Sequence, residues 1–180
     1  MRNQYSPQMI CKAAAFVALV CIMTLFFKVP IPLGYAHLGN GIILLGGFLL
    51  GNPYAVWIGG IGSAMADLLG GYTEWIFPTL VIKGAMGYAI GFLSHPGKNP
   101  EKKSVKVLSF QAALSVITGT AIMILGYGIT GGLMYGSFAA GVSSLPGLIM
   151  EGVVGVLMFY ILGSILEKKK LMDKLGKTEG

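Results

Sequence analysis

Basic side chains in this chain are confined to short segments, and the runs between them are apolar and long enough to enter a bilayer. Within lipid every backbone N–H and C=O must find a partner inside the protein, so irregular backbone has to lie outside the hydrocarbon or line a cavity. With 54% hydrophobic residues, 11% charged residues and a mean hydropathy of +0.75, a soluble domain is excluded. The 28 glycines suit helices that approach closely in lipid, where small residues give tight packing. A net charge of +6 would point to nucleic acid in a soluble protein. Here the basic residues follow the positive-inside pattern of a membrane protein, and no nucleic-acid partner is expected.

At about 20 apolar residues per span, helices are expected near residues 9–27, 38–50, 54–69, 75–93, 107–125 and 145–166 of one membrane-embedded domain, residues 1–180. Arg2 and Lys12 precede the first apolar stretch in the manner of a signal peptide, but a small-residue cleavage site is missing and further spans follow, so it reads as a retained helix. Cys11 and Cys21 lie inside that helix and suit packing better than a disulfide or zinc site. With Ala14 and Ala18 they form a face of small side chains. Spacing alone fits packing within the chain and docking against a partner protein equally.

Lys28 to Asn40, KVPIPLGYAHLGN, is too irregular for a span, and Gly51-Asn52-Pro53 reads as a tight turn. In the third helix Ile58, Ile61, Met65 and Leu68 make an apolar stripe, while Gly60, Ser63, Ala64, Asp67 and Gly71 make a small, polar face. Lys83 shares its face of the fourth helix with Thr79 and Gly87, within reach of a carboxylate on the neighbouring helix. The glycine-rich segment from Gly126 to Ser144 reads as a continuation, a re-entrant piece or an ordered loop. Ser144 is expected to cap the sixth helix with Pro146 in its first turn, placing Glu151 about 8 Å below that start.

Of 13 Lys and Arg residues, all but Lys28 and Lys83 fall on one side. The expected fold is therefore an all-α integral membrane protein with six transmembrane helices and both termini cytoplasmic. The Lys28–Asn40, Gly70–Glu74 and Gly126–Ser144 segments then lie outside, and Asp67, Lys83 and Glu151 sit in the outer half of the membrane. An intramembrane charge costs roughly 2.5–3.5 kcal/mol unless paired or solvated, which makes each a functional candidate. Three irregular segments rich in Tyr, Trp, His and Asn above three charges describe a small-molecule pocket open to the outside. The alternative is that the charges neutralise one another and knit the bundle, with Tyr and Trp as an interfacial belt.

No enzyme is expected. Gly97-Lys98-Asn99 lacks the earlier glycine and the Ser/Thr of a phosphate loop, and Gly60-Ile61-Gly62 lacks the third glycine of a dinucleotide site. His37 and His95 fall on opposite sides of the membrane and cannot share a metal, and His37 is the only histidine a hydrolase built on Ser63 could use.

The stretches VPIPLGYAHLGNGIILLGGFLLG, GGIGSAMADLLGGYTEWIFPTLVIKGAMG and SSLPGLIMEGVVG resemble S components of energy-coupling factor (ECF) transporters, in the branch that includes carriers for riboflavin, hydroxymethylpyrimidine and vitamin B6. The resemblance implies a multi-pass subunit of a prokaryotic plasma membrane that captures a vitamin from outside with high affinity. It would dock on a transmembrane coupling subunit with two ATPases and tilt to release its substrate inward, with no cofactor of its own. Ala14 and Ala18 match the family's AxxxA docking motif, which favours the docking reading of that face. The Met-His start of the nickel and cobalt members is missing, so a metal substrate is not implied. The expected ligand is a small planar heteroaromatic, first a vitamin B6 form (pyridoxal, pyridoxine or pyridoxamine) and next hydroxymethylpyrimidine. Tyr35, Tyr72, Trp75, Tyr127 and Tyr135 are stacking candidates, Asp67 and Glu151 acceptors, and Lys83 a donor, held beside Asp67; His37, Asn40 and Glu74 complete the set. A stand-alone ion-coupled carrier or channel using Asp67, Lys83 and Glu151 as a polar path is the alternative, and a purely structural membrane subunit is a third.

Overall fold

The structure, a computed structural model, describes residues 6–31, 34–95, 106–169 and 171–172. The side chain of Tyr35, the Gly97-Lys98-Asn99 tripeptide, Arg2 and Lys98, Lys102, Lys103, Lys170, Lys174 and Lys177 of the charge count lie outside the described residues. Six α-helices and one hairpin make up the rest: α1 Pro7–Phe26, β1 Lys28–Ile31, β2 Gly34–His37, α2 Gly39–Leu50, α3 Tyr54–Gly70, α4 Ile76–Ser94, α5 Phe110–Met134 and α6 Phe138–Lys168. A single 3₁₀ turn, Thr73–Trp75, leads into α4. The first four helices fall within two residues of their expected limits, and Gly51, at φ 66°, caps α2 as a glycine can.

Helices α1, α4, α5 and α6 are long and apolar enough to cross a membrane. By contrast α2 has only 12 residues, about 18 Å of helix, and every one of them is buried. It is the axis of the bundle, enclosed by α1, α3, α4 and α6.

Two regions go beyond the sequence reading. Lys28–Ile31 and Gly34–His37 pair as an antiparallel hairpin, Lys28 with His37 and Val29 with Ala36, and Gly39 and Asn40 already belong to α2. The Leu38 amide then donates to the Phe27 carbonyl at 3.1 Å, closing the hairpin against the start of α2. Gly126 to Ser144 is almost entirely helical: α5 continues to Met134, a turn at Tyr135–Ser137 uses Gly136 at φ 62°, and α6 begins at Phe138. Ser144 is therefore no cap, and Pro146 lies inside α6 rather than near its start. Glu151 lies about 20 Å along α6 from Phe138 instead of about 8 Å. In water four glycines in ten residues would argue against a helix. In lipid the backbone has no alternative partner, and these glycines let two helices touch: a Cβ on Gly141 would sit 2.5 Å from the Gly128 carbonyl oxygen.

The same principle orders α3 against α4. Its small face turns inward, with Gly60, Ser63 and Ala64 buried, while Ile61, Met65 and Leu68 of the apolar stripe are 43%, 43% and 57% exposed and only its first member, Ile58, is buried in the core. A Cβ on Gly59 would meet the Lys83 carbonyl oxygen at 2.2 Å, and one on Gly87 the Ala55 carbonyl oxygen at 2.1 Å. Backbone contact of this kind fixes the register of the two helices. We expect Gly59→Ala to force them apart and cost about 1–3 kcal/mol, read as a lower melting temperature in detergent. Gly147→Ala, where a Cβ meets nothing within 4 Å, should stay within about 0.5 kcal/mol of the parent.

Candidate functional site

Lys83 on α4 is only 2% exposed, so its ammonium needs partners supplied by the fold. The nearest is Asn40, at the start of α2, whose Oδ1 accepts a hydrogen bond from Lys83 Nζ. Asn40 Nδ2 in turn donates to Glu151 Oε1 at 2.6 Å and to Met123 Sδ at 3.0 Å. Glu151 Oε1 stands 3.8 Å from Lys83 Nζ and 3.1 Å from His37 Nε2. Tyr127 adds its ring face, with the ammonium 5.1 Å from the centroid. One cation, one anion, an amide and an imidazole thus close a polar knot that ties α4, α2, α6 and β2 together.

The partner of Lys83 is therefore Glu151, through Asn40, rather than Asp67 as the sequence suggested. The glycine contact explains the difference. Lys83 packs level with Gly59 on α3, two turns or about 12 Å short of Asp67, and so meets α2 and α6 instead.

Beside the knot lies a cavity of about 420 Å³, within the ~300–1,000 Å³ typical of small-molecule sites. Its wall is drawn from every helix but α2 and from the hairpin. Trp75 is its aromatic centre, with ring centroids 5.7 Å from Tyr127 and 6.3 Å from Tyr135. The Tyr127 hydroxyl donates to Thr79 Oγ1 at 2.9 Å, which locks that ring against α4. Asp67 contributes a carboxylate whose Oδ2 is buried with no hydrogen-bond partner among the described residues.

Of the residues singled out in the sequence, His37, Asp67, Tyr72, Trp75, Lys83, Tyr127, Tyr135 and Glu151 line this one cavity. Asn40 lies behind the wall, 1% exposed, and acts through Lys83 and Glu151. Glu74 is exposed and off the wall. Sequence reasoning missed Thr24 of α1 and Lys28 of β1, which line the cavity, and Ser144, which faces it from within α6. Thr79 was signalled only by sharing the helical face of Lys83. Ala14 and Ala18 lie far from this site along α1 and are exposed, whereas the inward face of that helix is Met9, Ala13, Val20 and Cys21.

Burial pushes the His37 imidazole down to about 4; the neighbouring Glu151 carboxylate opposes the shift, and Lys83 and Lys28 add to it. In the folded protein the ring is therefore neutral at pH 7, with Nε2–H donating to Glu151.

Comparison with known proteins agrees with this architecture. A sequence model of the family described as ECF-type riboflavin transporter, S component, matches residues 4–168. An uncharacterised protein from the gap 3′ region of Pyrococcus woesei is 33% identical over 152 residues, which cover 83% of this chain and 95% of that protein. The thiamine precursor transporter HmpT of Lactococcus lactis subsp. cremoris (strain MG1363) is 29% identical over 171 residues, 92% of this chain and 91% of the relative.

Two outcomes follow from the knot. Glu151→Ala alone strands a buried ammonium and should cost about 3–5 kcal/mol in detergent unfolding, whereas Lys83→Met combined with Glu151→Gln should cost far less than the two single changes added together. Acid should also loosen the fold through His37. The unfolded chain takes up a proton near pH 6.5 and the folded one only near 4, so this contribution is complete above pH 6.5 and is lost progressively as pH falls toward 4. His37→Gln should flatten that part of a melting-temperature profile measured from pH 7.5 to 4.

Proposed function

The chain belongs to the family of ECF-type riboflavin transporter S components, and from that premise we propose that it captures a small heteroaromatic vitamin or vitamin precursor in the cavity beside Lys83. S components bind a vitamin and work with an ECF transmembrane subunit and ATPase subunits, and the S-component family is not an enzyme class. The observation that carries the reading is a single cavity that sets an aromatic wall, Trp75 with Tyr127 and Tyr135, beside an unpartnered carboxylate oxygen of Asp67. The rings stack on a flat solute and the polar groups fix its edge. In this reading Tyr72 extends the aromatic surface, while Lys83, Asn40, Glu151 and His37 form a rigid polar floor. Glu74 is left out of the set because it is exposed and off the wall.

Among ligands, we place hydroxymethylpyrimidine ahead of vitamin B6. Support comes from the relative named as a thiamine precursor transporter. For topology we propose six crossings of a prokaryotic plasma membrane with both ends cytoplasmic, the short α2 being completed by the hairpin stacked at its start. Exposure of Ala14 and Ala18 on α1 supports that face as the dock for the coupling subunit.

Ligand that binds only the folded state raises the melting temperature with its concentration. We expect hydroxymethylpyrimidine, among pyridoxal, pyridoxine, riboflavin and thiamin, to give the largest shift on the purified chain, and Trp75→Ala to abolish it. No shift with any of these compounds would overturn the reading. Replacing Ala14 and Ala18 by Leu should leave binding within about twofold while ATP-driven uptake by the reconstituted complex falls about tenfold or more, since bulk on a small-residue face blocks close helix approach.

A further inference from the structure

We propose that Asp67 is the residue that selects the ligand, by accepting a hydrogen bond from an exocyclic amine in the plane of an aromatic ring. The inference rests on the cavity being the vitamin site. Its starting point is the unequal fate of the charges in one wall. Lys83 and Glu151 satisfy each other through Asn40 and His37. Asp67 has no such arrangement: its side chain faces Thr79, yet Oδ2 is buried without a partner.

Its place in the helix makes this more pointed. Asp67 occupies the last turn of α3, where its own carbonyl oxygen accepts from the amides of Gly71 and Tyr72, the latter at 2.9 Å. A carboxylate there sits at the negative end of the helix dipole and is disfavoured. Nothing in helix capping calls for an acid at this position, because the Gly71 and Tyr72 amides are taken up by the backbone. The carboxylate is thus held, partly desolvated, against the local field, and a donor brought by the ligand relieves it.

The surroundings define that donor. Asp67 lines the same cavity as Trp75, Tyr127 and Tyr135, so the donor belongs to a ring stacked on those side chains and presented edge-on. An exocyclic amine lies in the plane of such a ring and points its N–H outward along that edge. A phosphate or carboxylate on that edge would instead face an unpaired anion, so phosphorylated forms of the same rings are rejected. An analogue without the amine would leave Oδ2 buried and unpaired.

The test uses the chain in detergent and calorimetry with two probes: hydroxymethylpyrimidine, which carries the amine, and its deamino counterpart, in which hydrogen replaces that amine. The parent protein should prefer the amine by at least about tenfold, since a site built around a hydrogen bond strongly rejects the analogue that lacks it. Asp67→Ala, which removes the acceptor, should bring the ratio to about one, and Asp67→Glu should keep the preference. Equal binding of the two probes by the parent protein overturns the proposal and leaves the cavity's function standing; so does an undiminished preference in a folded Asp67→Ala variant. Binding of pyridoxine without binding of the amine also overturns it. If the parent protein binds none of the vitamins tested above, the reading of the cavity itself fails, and the selectivity proposal with it.

Discussion

A single buried ammonium organises this protein. Lys83 lies at the centre of the bundle, where an unpaired charge would cost far more than the marginal stability of most folds allows. Its partners come from three other elements: Asn40 from α2, Glu151 from α6 and the Tyr127 ring from α5, with His37 of β2 reaching Glu151. None of these residues is near another in sequence except His37 and Asn40. Satisfying one cation therefore fixes where the hairpin, the central helix and the last helix sit relative to α4. The cavity forms beside that point because the same residues which hold the charge also hold its walls.

What lets Lys83 reach this position is the absence of side chains elsewhere. Between α3 and α4 the backbones touch at Gly59 and Gly87, and between α5 and α6 at Gly141. In water, a helix face of glycine, serine and alanine would be solvent-facing and the Ile, Met and Leu face would be core. Here α3 is turned the other way, since lipid is as apolar as leucine and gives no reward for burying it. Packing energy goes to the face that permits the closest approach, and that face carries the polar residues. The small-residue pattern and the polar site are thus one constraint.

That coupling explains what the sequence disclosed. The first four helices, the Gly51 turn and the identity of the three intramembrane charges were legible because each depends on local pattern: apolar run length, a glycine before a proline, a charge in an apolar stretch. Most of the cavity wall was legible too, since aromatic and charged residues cluster in the segments that close one end of the bundle. Two things were not. The glycines at 126–141 lower helix propensity in any local reading, and only a second helix in contact, with lipid excluding other partners for the backbone, makes them helical. The pairing of Lys83 with Glu151 rather than Asp67 depends on helix register, set by a backbone contact at Gly59 that no spacing rule encodes. The hairpin belongs with these, because its second strand, of four residues, is held by packing on α6.

The register that takes Lys83 away from Asp67 also divides the labour of the site. Had the two formed a pair, as their closeness in sequence invites, both charges would have been consumed in holding α3 to α4. Ligand would then have met only hydroxyls and rings. Because glycine contacts hold those helices instead, the ion pair moves one layer inward and closes on itself, and Asp67 stays on the wall. Stability then rests on the polar floor of the cavity, chiefly on Asn40 behind it with its three contacts, and recognition on Asp67 and the aromatic wall. Changes at Asp67 or the aromatic wall can alter what is bound without releasing a buried charge, and changes in the knot disturb the fold before they alter selectivity.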